Sequence, residues 1–186
     1  MKKRLLTTLV VLTGIFLLSA SIVWAQAPAP VAKTGQTTLY QSGDDGDLEK
    51  GVATSPRFTD NGDLTVTDNL TGLMWATDAN MAGSMKWEIA IIYANSLSLG
   101  TSCGSPRTDW RLPNLFELES LRDLSNYDPA LPTGHPFTNV QSNYYWSSTT
   151  YAEITDGAWR LRIDYGYHEA GPKTHTYYVW PVRGGN

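Results

Sequence analysis

The chain has 186 residues, with 14 Lys or Arg, 18 Asp or Glu, seven Trp, ten Tyr and a single cysteine. Its formal charge of −4 argues against a nucleic-acid partner, because neutralising phosphates takes a basic face. The lone Cys103 excludes an internal disulfide framework.

Lys2, Lys3 and Arg4 precede an apolar run from Leu5 to Val23, and Val23-Trp24-Ala25 ends on a small residue. That order predicts a signal peptide over residues 1–25, cleaved before Gln26. The alternative is an uncleaved anchor, since the run is long enough to span a bilayer. Its scattered Thr and Ser residues favour cleavage, which leaves no stable membrane anchor and places the rest in the periplasm, at the cell surface or outside. Without the three N-terminal cations, 11 basic residues face 18 acidic ones, a formal charge of −7. About 160 residues remain, enough for one domain with its own core.

Residues 26–50 read as a Pro/Ala linker followed by a polar segment. Asp44, Asp45, Asp47 and Glu49 crowd around Gly46, and such oxygen-rich loops can hold calcium. The alternating ligand spacing and closing bidentate Glu of a calcium loop are not met, so a solvated acidic turn is favoured and no cofactor is expected.

Residues 51–186 form the predicted domain. Asp60-Asn61-Gly62-Asp63 carries the Asn-Gly signal for a type I′ turn between Phe58-Thr59 and Leu64 to Thr67. A turn at Asp68-Asn69 and Thr71-Gly72 leads to a strand at Leu73 to Ala76, completing an N-terminal β-meander. A first helix is predicted over Ser84–Leu97, capped by Ser84, with Trp87, Ala90, Ile91, Ala94 and Leu97 on one face. Ser98 to Thr108 is a loop by composition. Trp110 to Leu112 run extended into Pro113. Asn114 and Glu117 then offer a capping box for a second amphipathic helix reaching toward Leu124.

Three strands are expected to close the chain. Tyr144 to Thr149 is aromatic, then polar. Trp159 to Tyr165 alternates apolar residues with Arg160, Arg162 and Asp164, a half-buried strand with a charged outer face. Thr176 to Val182 is apolar on both faces, as a central strand should be, with Pro181 near its end.

Several stretches resemble one bacterial family. They are Arg57 to Asp63, Thr65 to Trp75, Trp110-Arg-Leu-Pro-Asn114 with Glu117-Leu118, Tyr145-Trp-Ser-Ser-Thr149 and Val179 to Gly185. In this order they resemble the Lcl C-terminal domain family, named for a collagen-like adhesin and long carried as a domain of unknown function. Thr34 to Thr38 and Asp45 to Gly51 resemble pieces that often precede it. The resemblance implies an α+β, C-type-lectin-like fold: a twisted antiparallel sheet with two helices, its N- and C-terminal strands brought together. Relatives often pair a Cys near position 81 with one near position 103; here Met81 replaces the first, so that disulfide is missing. Formylglycine-generating enzymes share the fold in outline but need a cysteine pair, which this chain lacks.

Catalytic grammar is sparse. No Gly-x-Ser-x-Gly elbow accompanies His135, His168 or His175, and Cys103 has no local signature of a thiol–histidine pair. His168-Glu169 and His175 flank the Gly171-Pro172 turn, but without His-x-x-x-His spacing no metal is assigned.

These readings favour a non-catalytic extracellular ligand-binding domain, adhesin-like, for a polysaccharide or a surface protein. Rigid aromatics beside small hydroxyls in Tyr144 to Tyr151 are the composition binding surfaces use. The candidate ligand-binding residues are Tyr151, Glu153 and Asp156 in one connection, and Arg160 and Arg162 on the following strand. Tyr167, His168, Glu169, Lys173 and His175 in the next connection complete the set. The cations would draw sulfated or carboxylated chains. An alternative is a structural module that oligomerises or docks a partner protein. A weaker one is an enzyme acting on polysaccharide through Glu153 and Asp156.

Overall fold

The computed structural model describes residues 31–102 and 104–184, so the predicted signal peptide and Cys103 lie outside the described residues. The fold is α+β, mostly antiparallel sheet with few helices. Its elements in chain order are α1 (Asp45–Leu48), β1 (Phe58–Asp60), β2 (Thr65–Asp68), β3 (Met74–Ala76), β4 (Ser84–Lys86), α2 (Trp87–Ser96), β5 (Leu99–Ser102) and β6 (Ser105–Arg107). There follow α3 (Leu115–Ser120), β7 (Tyr144–Thr150), β8 (Gly157–Arg162), β9 (Tyr167–Pro172), β10 (Thr176–Tyr178) and β11 (Val182–Arg183).

The predicted meander forms as β1-β2-β3, and β11 adds antiparallel to β3, so the two ends of the domain share a four-stranded sheet. The β1–β2 turn is wider than the two-residue type I′ form. Asn61 N donates to Thr65 O at 3.0 Å, and both Gly62 (φ +70°) and Leu64 (φ +68°) are left-handed. Residues 61–65 lie between the paired Asp60 and Val66, and Asn61 Nδ2 spans them by donating to the Thr65 and Thr67 hydroxyls.

The second sheet has the order β4-β10-β7-β8-β9, antiparallel except where β10 runs parallel to β7. Alternation along β7 sends Tyr145 to one face and Trp146 to the other. Tyr145 and Leu161 join Trp75, Trp180, Val182, Leu118 and Leu121 in the main core between the sheets and α3. Trp146, Ala158 and Val179 pack against Ala90 and Ala94 of α2 on the opposite face. The five-stranded sheet is therefore covered on both sides.

Ser84 does not cap the first helix. Ser84–Lys86 pairs with β10 instead, and α2 begins at Trp87 behind Lys86 with no side-chain cap. The Ser98–Thr108 segment is not a plain loop either, because β5 and β6 form a small hairpin there. Asp63 secures it by accepting from Thr101 N at 3.0 Å and Arg107 Nη1 at 2.8 Å.

The capping box forms as expected. Asn114 Oδ1 accepts from Glu117 N at 2.9 Å, and Glu117 Oε2 accepts from Asn114 N at 2.8 Å. Glu117 also takes a two-pronged contact from Arg111 at 2.6 and 2.7 Å. The helix stops at Ser120 rather than Leu124, since its end tightens into Leu121 N to Leu118 O and Arg122 N to Glu119 O bonds. Leu124 N is claimed by Thr34 O at 2.6 Å. Asn114→Ala should lower the domain's stability by about 1 kcal/mol, the usual cost of a lost cap. A urea midpoint lowered with an unchanged slope would register it.

The last apolar run is divided between sheets. Thr176–Tyr178 joins the five-stranded sheet, while Val182–Arg183 joins the four-stranded one. Pro181 sits at the crossing, where it gives no amide but its carbonyl accepts from Ala76 N at 3.1 Å.

Candidate functional site

The acidic segment is turned inward on itself. The Asp44 carboxylate caps α1 and accepts from the amides of Tyr40, Gln41 and Asp47, which hold it below its usual range. Asp47 accepts from Gly43 N, Glu49 pairs with Lys33 at 2.9 Å, and Asp45 accepts from Thr34. These oxygens are committed to local donors rather than aimed at a common centre.

The ten candidate ligand residues divide between the two faces of the β8–β9 hairpin. Tyr167–Pro172 is itself a strand, not a connection, and its register places Glu169 opposite Arg160 and Tyr167 opposite Arg162. On that face Arg160 is only 9 % exposed, contrary to the solvated outer position expected for it. Its guanidinium lies 3.9 Å from the Tyr144 ring and 4.2 Å from the Tyr177 ring, and Nη2 donates to Glu169 Oε1 at 2.5 Å. It rests flat on Gly171, where an added Cβ would come within 2.7 Å of Cζ. Cation–π stacking and the missing Cβ together explain why this cation is enclosed.

Arg162 lies beside Arg160, between Tyr144 and Tyr165, and donates to both Asp164 oxygens at 2.9 and 3.0 Å. The Tyr144 and Tyr167 hydroxyls meet at 2.8 Å, and His175 Nδ1 lies 3.1 Å from the Tyr177 hydroxyl. Burial, with the neighbouring Glu169 carboxylate, pushes the Tyr144 phenol above its usual range. Tyr144 and then Arg160 hold Glu169 below its own. The result is a tyrosine-rich platform whose cations are already paired with anions. Strand alternation hints at Tyr144 and Tyr177, but their meeting with Arg160 depends on a register that a sequence does not display.

The other face of the hairpin gathers Tyr151, Trp159 and His168. Their rings stack edge to face, with centroids 5.2 Å apart for Tyr151–Trp159 and 5.4 Å for Trp159–His168. His168 Nδ1 contacts Glu119 Oε1 of α3. Tyr151 donates to the exposed Glu153, and Asp156 lies at the rim of a cleft of about 210 Å³. Ile154, Ala170 and Pro172 make the cleft's walls apolar. Ile154 escapes a search for polar ligands and Ala170 carries no chemical label, so sequence reading passes over both.

Lys173 is a tie rather than a free ligand. Its Nζ sits 4.0 Å from the centre of the Trp87 ring and donates to Thr150 Oγ1 and Thr155 O, both at 2.9 Å. It thus pins the Tyr151–Asp156 connection to α2. Lys173→Ala should speed amide exchange at Tyr151 and Gly157 by about tenfold, the loss of roughly one charged hydrogen bond.

His168-Glu169 and His175 do not converge: His168 faces α3, Glu169 faces Arg160 and His175 faces Tyr177. Among the described residues no group of three or more His, Cys, Asp or Glu is placed to hold a metal ion. Met81 is 37 % exposed.

No curated protein matches the chain. The profile of the Lcl C-terminal domain matches residues 64–183, which leaves Thr34 to Asp63 outside the matched span. From Leu64 through the meander, both longer helices and the strand that closes on β3, the chain belongs to the Lcl C-terminal domain family.

Proposed function

We propose that this is a non-catalytic ligand-binding domain of an exported protein, adhesin-like, taking a polysaccharide on the Tyr144–Tyr167–Tyr177 platform. A C-type-lectin-like arrangement is part of the same reading, supported by the last strand, β11, closing on β3 of the N-terminal meander and by helices on both sides of the five-stranded sheet. The observation that carries the reading is the platform itself: Tyr144 of β7 and Tyr177 of β10 flank the enclosed Arg160, the Tyr167 hydroxyl of β9 meets that of Tyr144, and His175, just before β10, meets the Tyr177 hydroxyl. Aromatic faces stack on the apolar faces of sugar rings, while phenol and imidazole groups serve the ring hydroxyls.

Internal charge pairing shapes the specificity. Arg160 pairs with Glu169 through Nη2 alone, its Nε and Nη1 being buried without a hydrogen-bond partner, and Arg162 pairs with Asp164, so both charges are offset and uncharged or weakly charged chains fit better than densely sulfated ones.

Calorimetric titration with neutral and anionic polysaccharide fractions tests this. Tyr167 is 41 % exposed, so Tyr167→Ala should leave the fold intact while weakening binding about tenfold, the worth of one stacked ring. Absence of saturable binding to every fraction, or binding indifferent to this substitution, would defeat the reading.

A further inference from the structure

The edges of the sheets differ in one respect. β1, β4 and β11 have only two or three residues, and β11 is further covered by a bridge between Val182 and Arg111. β5 and β6 are interrupted by a register shift, and Pro106 lies in β6. Among the described residues β9 is the longest edge, six residues of the larger sheet without a bulge or a lysine; its last residue, Pro172, has no N–H and its carbonyl accepts from His175 N, which leaves Tyr167 to Gly171 as the open stretch. Beyond its ladder with β8, the backbone of Tyr167 to Gly171 makes no hydrogen bond to another described residue. Edges of this length are normally blunted or covered, because the open row of N–H and C=O groups is a template for another strand.

The apolar cleft lies at the end of this same edge. Ala170 and Pro172 line it from β9, and Ile154 and Tyr151 form the opposite wall. Ile154 is 59 % exposed although no polar function requires it. Glu153 and Asp156 are exposed on the same connection. Strand addition uses two parts, main-chain bonds for affinity and a pocket for alternate side chains for selectivity. Both are present here, side by side.

We infer that the β9 edge is a docking site for an extended peptide segment of a partner protein, which joins the sheet as a sixth strand. One aliphatic side chain of the guest enters the cleft between Ile154 and Pro172. Basic residues flanking that side chain meet Glu153 and Asp156. The cleft lies on the opposite face of the β8–β9 hairpin from the tyrosine platform, but Tyr167 belongs to both the edge and the platform, so a protein partner and a polysaccharide would meet at that residue.

A short acetylated peptide, Lys-Val-Thr-Val-Thr-Val-Lys, is the probe, titrated into the purified protein by fluorescence polarisation. Saturable binding is expected, with N-methylation of one alternate set of peptide amides weakening it about tenfold and methylation of the other set leaving it unchanged. Ile154→Asp should also weaken it about tenfold, and this exposed position tolerates the change without loss of fold. No binding at millimolar peptide would overturn the inference. Equal effects of the two methylation patterns, or indifference to Ile154→Asp, would do the same. A dimer seen by light scattering without peptide, and abolished by Ile154→Asp, would replace the peptide with a second copy of this chain and equally overturn it.

Discussion

Trp180→Ala should cost the domain about 3–5 kcal/mol, the range for removing a fully enclosed large aromatic. Trp180 is completely buried where the last apolar run crosses between the sheets. Its ring makes edge contacts with Phe137 at 4.8 Å and Trp75 at 5.9 Å, and a tilted contact with Tyr145 at 5.4 Å. Its indole N–H donates to Ala76 O at 2.9 Å. Domains of this size are stable by about 5–15 kcal/mol, so the variant would fold marginally or not at all. Trp180→Phe separates packing from hydrogen bonding, because it keeps an aromatic ring but orphans the Ala76 carbonyl. It should cost less, about 1–3 kcal/mol plus the smaller volume lost. Urea unfolding followed by tryptophan fluorescence distinguishes the two; equal stability of Trp180→Ala and the parent would mean the sheets are not joined here.

Arg57→Met should be nearly as damaging, and its cost should depend on pH. Asp68 is fully buried at the end of β2, and Arg57 grips it with bonds of 2.7 and 2.9 Å. Leu70 N and the Thr71 hydroxyl also donate to Asp68, while Arg57 reaches on to Ser120 O. Burial alone would raise the Asp68 carboxyl, but the Arg57 and Thr71 bonds outweigh it and the group stays below its ordinary 3.8. A depressed folded value contributes stability above the unfolded value and loses it as pH falls through the folded one. The parent should therefore be at full strength near neutrality and weaken below about pH 4. Removing Arg57 leaves a buried carboxylate unpaired, at a cost of about 3–5 kcal/mol at pH 7. Because protonation relieves that charge, the gap between variant and parent should narrow as the pH drops toward 4. A gap that is constant from pH 7 to pH 4 would show that the lost packing of Arg57, not Asp68, sets the cost.

Local grammar carried a long way in this chain. Asn114 and Glu117 announced the start of α3 because both partners of a capping box lie within one turn. The meander was legible because Gly62 and Gly72 mark its turns, and both adopt positive φ. Ser84 misled, since a residue suited to capping a helix is equally content in a short strand once β10 lies beside it. β9 was hidden for a related reason: Tyr-His-Glu-Ala-Gly-Pro has weak strand propensity, and only pairing with β8 makes it a strand.

The candidate site shows the same division. Tyr151, Arg162, Tyr167 and His175 were recognisable by residue type, yet nothing in their order tells which share a face. Arg160 looked like a free surface cation, and Lys173 like a loose ligand. Each was reassigned by groups distant in sequence: Tyr144, Tyr177 and Gly171 around the first, Trp87 and Thr155 around the second.

By itself the amino-acid order determined the family, the α+β class, the cap of α3 and the absence of a cysteine pair, all properties of neighbouring residues or of composition. Tertiary structure alone decided that one apolar run serves two sheets, that an arginine is enclosed by tyrosines, and that the edge from Tyr167 to Gly171 stands open beside an apolar cleft. The physical reason is strand register: hydrogen bonds between segments far apart in the chain set which side chains face each other, and a slip of one residue would turn every one of them to the other side.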